Sequence, residues 1–286
     1  MQLTYLVLAH QNPQQLSSQL DLLLDGGARA VVHVDAKVDA APFHDALRSH
    51  GPAVRETGRR HEVRWGGFGV VAATVTALRD ALQHAPADHY VLLSGADLPV
   101  RPLADLRAEL RPGHVRMNSW PMPDEARGKP MSRIDRWHHA PKDRHDPWAS
   151  RVGRLLARLP ARSLAPLGGA APHAGSQWWT MPHECARDVV EFVDSSPRFV
   201  KFFRHVQVPD EMFFQTVVHA LPRSYEVRPN LTYTRWTSSD RLSPDVLSRT
   251  DLPAAASSGA FFARKFDLRR DPDVLDGVRE LLAGRA

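Results

Sequence analysis

Residues 209–216, Pro209-Asp210-Glu211-Met212-Phe213-Phe214-Gln215-Thr216, set two adjacent carboxylates between a proline and a run of large apolar side chains. Two readings fit that pattern. Proline suits the first turn of a helix, where its missing N–H has no partner to lose, and acid there is favoured by the macrodipole. On that reading the octapeptide is an acidic helix start above a core. The other reading is chemical. Met212, Phe213 and Phe214 can keep water away from Glu211, and a carboxylate so placed serves as a general base once a substrate proton comes within reach.

Other residue types exclude chemistries. Cys185 is the single cysteine, so neither an internal disulfide nor a cysteine-built metal site is possible. Asp135-Arg136-Trp137-His138-His139 and Lys142-Asp143-Arg144-His145-Asp146 gather histidines and acids. They lack His-Glu-x-x-His and the other spacings that put ligands on one face, so they read as solvated loop residues and no metal is expected. Neither a G-x-G-x-x-G nor a G-x-x-x-x-G-K-[ST] sequence occurs, which removes the dinucleotide fingerprint and the P-loop.

The elements that must position Glu211 follow from hydrophobic period. Leu3–Ala9, Ala30–Val34 and His89–Leu93 are near-continuous apolar runs, the mark of strands buried on both faces. Helical spacing appears after His10-Gln11-Asn12-Pro13, over Ala41–Arg48 and over Val70–Leu82. The alternation predicts a mostly parallel sheet with helices on both faces. In such sheets ligands bind beyond the carboxyl ends of the strands. Ala9-His10, His33-Val34-Asp35, Trp65-Gly66-Gly67 and Ser94-Gly95-Ala96-Asp97 fall there, and point to a nucleotide site. Asp35 equally fits a cap on the turn that follows it. Residues 120–175, rich in Pro, Arg, His and Trp, read as a long excursion from the core. Order returns with a strand over Ser176–Met181, helices over Pro182–Val193 and Glu211–His219, a strand over Asn230–Trp236 and a last helix over Asp273–Leu282.

The 286 residues carry a net charge of +5, with 43% hydrophobic and 24% charged residues, the balance of a globular protein. The pI of about 9.7 raises the question of nucleic acid. The arginines are scattered rather than set in one stripe, so no nucleic-acid partner is expected. Arg151, Arg154, Arg158 and Arg162 recur at helical spacing within 151–164, a basic amphipathic stretch able to touch an anionic membrane, although Pro160 interrupts it. No apolar run approaches the ~20 residues that span a bilayer. The first residues lack a basic leader region, so a cytoplasmic location is expected, and the Ala/Arg/Pro-rich composition fits a bacterial source.

Four segments, in this order, carry a resemblance: Leu6–His10 with His33–Lys37; Val63–Gly69 with Leu93–Pro99; Gly175–Thr180; and Pro209–Thr216 with Phe262–Asp267. Together they resemble the core-2/I-branching β-1,6-N-acetylglucosaminyltransferase family, which also contains the peptide O-xylosyltransferases. The resemblance implies an α/β, GT-A-like fold, with a Rossmann-like mixed, mostly parallel sheet flanked by helices. It implies a UDP-sugar donor, an acceptor held by the C-terminal half, inversion at the transferred sugar, and no bound metal or other cofactor. The Asp-x-Asp pair through which most GT-A enzymes hold a metal is missing from the strand ends. Asp271-Pro272-Asp273 has that spacing but reads as a cap on the last helix.

Residue by residue, the resemblance makes Glu211 the catalytic base and Lys265 the lysine that meets the leaving diphosphate. It asks for a second basic residue upstream, Arg241 or its competitor Arg235. Asp35 and Lys37 match uridine-contacting positions, with Ala9, His10 and Trp65 completing the nucleoside pocket. Asp97 is expected to anchor sugar hydroxyls. Gln177 and Trp178 are expected to contact donor or acceptor sugar, while Trp179, on the other face of its strand, goes to the core. One GT-A-like domain is expected over 1–286, divided into a nucleotide-binding half (1–115), an excursion or lid (116–174) and an acceptor and catalytic half (175–286). The implied function is transfer of a sugar, GlcNAc or xylose, from a UDP-sugar to the hydroxyl of a carbohydrate, glycopeptide or metabolite. The alternative is a non-catalytic nucleotide-sugar or glycan binder on the same scaffold.

Overall fold

The apolar runs do become the centre of a parallel sheet. The computed structural model describes residues 1–141, 147–238 and 243–284. Its strands are β1 (Leu3–Ala9), β2 (Arg29–Val34), β3 (Val54–Glu56), β4 (His89–Ser94), β5 (Asp97–Pro99), β6 (His114–Pro121), β7 (His173–Pro182), β8 (Glu226–Arg228), β9 (Thr232–Thr234) and β10 (Phe262–Arg264). Its helices are α1 (Pro13–Leu23), α2 (Ala41–Leu47), α3 (Gly69–His84), α4 (Leu103–Glu109), α5 (Ser132–Asp135), α6 (Pro147–Ala157), α7 (His183–Ser195), α8 (Pro197–Phe203), α9 (Phe213–Ala220), α10 (Leu252–Ser257) and α11 (Val274–Leu282).

Seven strands form one sheet in the order β3-β2-β1-β4-β7-β6-β8. All are parallel except β7, which runs against β4 and β6. Side chains alternate along β1: Leu6 packs toward α3, α7 and α9, whereas Leu3, Tyr5 and Val7 pack toward α1, α2 and α4. The central strands are therefore apolar on both faces, as expected of a sheet covered on both sides. The expected α/β, mostly parallel mixed architecture is what the chain adopts.

A second sheet, β5-β10-β9, stands beyond β4, with β10 antiparallel to β5 and parallel to β9. Its register sets Arg264 opposite Asp97. Leu98, Ala263, Phe266, Leu252, Val274 and Val278 form the apolar cluster that seats it against α10 and α11.

One backbone irregularity shapes the site end. The β6–β7 register shifts between Met117 and Ser119, and Gly175 sits in that bulge. A Cβ there would lie 1.7 Å from the Asn118 carbonyl oxygen, so only glycine fits.

Several sequence expectations change. The strand expected over Asn230–Trp236 contracts to β9. The helix expected from Glu211 starts at Phe213, because Met212, at φ −136°, separates it from a 3-10 turn over Pro209–Glu211. The Asp273 side chain makes no cap on α11, and Asp271 accepts the Arg249 N–H at 2.7 Å instead.

Candidate functional site

The carboxyl ends of β1 and β2 are fastened together by the Asp35 N–H, which donates to the Ala9 carbonyl at 2.9 Å. Asp35 is buried. Its Oδ1 accepts from the Lys37 N–H at 2.9 Å and the Val63 N–H at 3.3 Å, and its Oδ2 lies 3.5 Å from Lys37 Nζ. It therefore caps the turn after β2, as the alternative reading held, and does so at the mouth of the sheet. Lys37 Nζ also donates to the Val63 carbonyl. Arg60 closes the loop from below through the carbonyls of Val34 at 3.1 Å and Asp35 at 2.7 Å. His33 is held neutral: burial and the adjacent His61 push it down to about 4. Its Nε2 accepts the His61 N–H at 2.8 Å.

His10 follows Ala9 at the end of β1. Desolvation lowers its pKa, Asp35 opposes that, and Lys265 and Lys37 add to it. The four groups thus share one electrostatic neighbourhood, although they come from residues 10, 35, 37 and 265. Lys265 is half-buried, and its pKa is lowered by burial and by Arg264. Its ammonium has no hydrogen-bond partner among the described residues.

Two expectations for direct sugar contact do not match the geometry. Asp97 is fully buried. Its Oδ2 accepts the Ser94 N–H at 2.9 Å, and its Oδ1 accepts the Ser94 hydroxyl at 2.6 Å and Arg264 Nε at 2.9 Å. With both oxygens engaged away from solvent, Asp97 positions Arg264 and the β4–β5 turn rather than reaching a ligand itself. Trp178 is buried at 6% exposure, and the Arg264 guanidinium lies 4.1 Å from its ring centroid. The face expected for a sugar is covered by a cation. Gln177, the preceding residue on β7, is partly exposed. Trp179 goes to the core against Phe214, as expected.

Glu211 sits in the 3-10 turn, tied to the rest of the site by its neighbours. Val208 adopts φ 50° and donates its N–H to the Gly66 carbonyl at 3.2 Å. That bond joins the Glu211 turn to the turn carrying Trp65, whose ring is 52% exposed. The apolar wall expected around Glu211 is elsewhere: Met212, Phe213 and Phe214 point into the core. What surrounds Glu211 is charge. Its Oε2 accepts Lys129 Nζ at 2.5 Å and Arg133 Nη2 at 2.7 Å. Both cations come from the excursion and are mostly buried. Oε1 is left free of protein donors among the described residues. Asp210, beside it, is pushed up to about 7 by burial and by the Glu211 charge, against its own N–H, Arg133 and Lys129.

The two candidates for a second diphosphate cation separate. Arg235 pairs with Asp245 at 3.4 Å and with Asp251. Arg241 lies outside the described residues.

Several positioning residues escaped the sequence reading. Gln15 Nε2 donates to the carbonyls of Gly95 at 2.9 Å and Phe266 at 3.0 Å, and its Oε1 accepts the Leu268 N–H at 2.9 Å. Gln19 Nε2 donates to the carbonyls of Ser94 at 2.8 Å and Asp97 at 2.6 Å. Together they stitch the β4–β5 turn to the segment after Lys265. Their signal was present: two glutamines four apart, on the same helix face as Leu16 and Leu20. Arg162, counted in the basic stripe, is instead buried. It donates to the carbonyls of Phe202 at 2.6 Å, His205 at 3.0 Å and Ile134 at 3.3 Å, which anchors the α5 turn that presents Arg133.

A cleft of about 770 Å³ between residues 166–171, the α7–α8 junction and the end of α9 contains none of these groups. Among the described residues, no group of three or more His, Cys, Asp or Glu is placed to hold a metal ion. No described helix is long and apolar enough to cross a membrane.

The family model described as core-2/I-branching enzyme matches residues 3–254. No curated protein matches the chain. Among solved structures, the inositol-1-phosphate CTP transferase from T. maritima aligns at TM-score 0.42 and 10% identity, over 99% of this chain and 97% of that one. The galactosyltransferase LgtC in complex with donor and acceptor sugar analogues aligns at TM-score 0.41 and 11% identity, over 99% and 96%. Superpositions this loose assign no residue of the site.

Proposed function

The chain belongs to the core-2/I-branching enzyme family, a family of glycosyltransferases, and from that premise we propose an inverting, metal-independent transfer from a UDP-sugar to an acceptor hydroxyl. GlcNAc and xylose are the proposed sugars. The observation that carries this reading is that, among the described residues, two groups keep an unmet capacity: a carboxylate with one oxygen free of protein donors, and a lysine without a hydrogen-bond partner in the neighbourhood of His10. These are Glu211 and Lys265.

The acceptor oxygen attacks the anomeric carbon from the face opposite the UDP leaving group. The bond from that carbon to the diphosphate oxygen breaks, and UDP leaves with the electron pair. Glu211 Oε1 takes the hydroxyl proton as the new bond forms. Lys129 and Arg133 hold the other oxygen, so the carboxylate is oriented before the acceptor arrives. Negative charge develops on the diphosphate, and a preorganised cation stabilises it more than mobile water does. Lys265 is that cation. Arg241 is the proposed second one, since Arg235 already holds Asp245 and Asp251. Asp35, Lys37, His10, the Ala9 backbone and Trp65 are the proposed nucleoside pocket, with Gln177 beside the sugar.

The test is UDP release measured across a panel of UDP-sugars, with and without EDTA. Release with UDP-GlcNAc or UDP-xylose, unchanged by EDTA, is expected. Loss of release with EDTA would contradict metal independence. UDP-sugar binding without release on any acceptor would favour the non-catalytic binder.

A further inference from the structure

Three of the exposed large apolar side chains lie within eight residues of one another. Val152 is 37% exposed, Leu155 64% and Leu159 39%. They recur at separations of three and four along α6 and the turn that ends it, which puts them on one side. Arg151, Arg154 and Arg158 are exposed beside them, and the sequence from 147 to 164 contains no acidic residue.

The ridge is fixed at its far end. Arg136, itself half exposed, donates to the Leu159 carbonyl at 3.3 Å. Beyond Arg158 the chain turns to its inward anchor. The Arg162 guanidinium lies 3.8 Å from the Phe202 ring centroid and 4.8 Å from that of Trp137, and donates to three carbonyls. Trp137 is itself 39% exposed. The fourth arginine of the sequence stripe therefore anchors the segment while the other three face outward with the leucines.

We propose that this ridge docks on an anionic lipid bilayer surface. Leu155, with Val152 and Leu159, enters the boundary between headgroups and acyl chains, and Arg151, Arg154, Arg158 and Arg136 meet lipid phosphates and carboxylates. Charge selects this occupant. A second copy of the chain would set arginine against arginine across a two-fold axis, and like charges so opposed are repulsive. A neutral apolar partner offers no negative charge to complement the positive charge of the ridge. An anionic bilayer offers both apolar depth and negative charge. The proposal stands apart from the transfer chemistry, since it uses none of the residues placed in that site.

The test is co-sedimentation of the full chain with vesicles of phosphatidylserine and phosphatidylcholine, about three to seven, and with phosphatidylcholine alone. Leu155→Ser, the double variant Arg154→Gln/Arg158→Gln, and Arg269→Gln at an exposed arginine elsewhere are compared, with circular dichroism to confirm folding. The wild type should bind the anionic vesicles and release them as salt rises. Binding should fall at least about tenfold for Leu155→Ser and for the double variant, and stay unchanged for Arg269→Gln. Absence of wild-type binding, equal loss with Arg269→Gln, or binding unaffected by the ridge variants would each overturn the proposal. So would a concentration-dependent dimer that Leu155→Ser abolishes, because the ridge would then lie between copies.

Discussion

Replacing Asp210 with asparagine removes a carboxyl that burial and Glu211 push up from 3.8 to about 7. In the unfolded chain the group loses its proton near its ordinary value, and in the folded chain only near neutrality. The native state therefore binds that proton more tightly. Its stabilising effect is fully present below about pH 4 and is lost as pH rises through about 7. The difference corresponds to about 4 kcal/mol at the upper end, a large part of the stability of an ordinary domain. Asparagine keeps the shape and cannot ionise. Asp210→Asn should match the wild type within ~1 kcal/mol near pH 4 and exceed it by a few kcal/mol near pH 8. Urea unfolding of both proteins, followed by tryptophan fluorescence at several pH values between these limits, reads the difference directly. Lys129 and Arg133 face the same carboxyl and lower its pKa, so they are left in place. A gap between the two proteins that stays constant across the range would refute the reasoning. A gap that closes as pH rises would refute it more strongly.

The clamp on Glu211 predicts that Lys129→Met and Arg133→Met each lower kcat by about 10- to 100-fold, since each frees the carboxylate to rotate. Steady-state kinetics with unchanged kcat would show that the clamp does not orient the base. Arg264→Met leaves the fully buried Asp97 without its cation and should cost about 3–5 kcal/mol; a thermal melt checks this, and Asp97→Asn added to it should recover part of the loss. Gly175→Ala forces a Cβ onto the Asn118 carbonyl oxygen and should prevent folding or lower Tm steeply, whereas Gly128→Ala, with no atom within 4 Å of its Cβ, should cost only the strain of its positive φ.

The central strands were legible because they are long and apolar on both faces, a pattern that a sheet covered by helices on both sides imposes directly. Short strands were not. β5, β8 and β10 have three residues each, too few for a period, and they form only because distant segments pair; β9 was read in its place, but as a longer run. The same distance hid the clamp, since Lys129 and Arg133 reach Glu211 across 82 and 78 residues. Sequence could nominate Glu211 as a carboxylate of interest but took its environment from Met212, Phe213 and Phe214. Those three side chains follow the helix into the core, while Glu211 stays in the turn before it. Asp97 and Trp178 show the converse error. Both stand where a ligand contact was sought, and burial instead commits them to Arg264. Gln15 and Gln19 were visible as polar residues on an apolar helix face, a signal of carbonyls to be satisfied within the core.

The proposed role of Glu211 is tested most directly by Glu211→Gln, measured for both turnover and UDP binding. Glutamine keeps the size and the hydrogen-bonding oxygen but cannot take the proton. Turnover should fall by about 10²–10⁴-fold, while UDP affinity by titration calorimetry stays within a few-fold of the wild type. Turnover close to that of the wild type, with UDP binding intact, would contradict the assignment of Glu211 as the base.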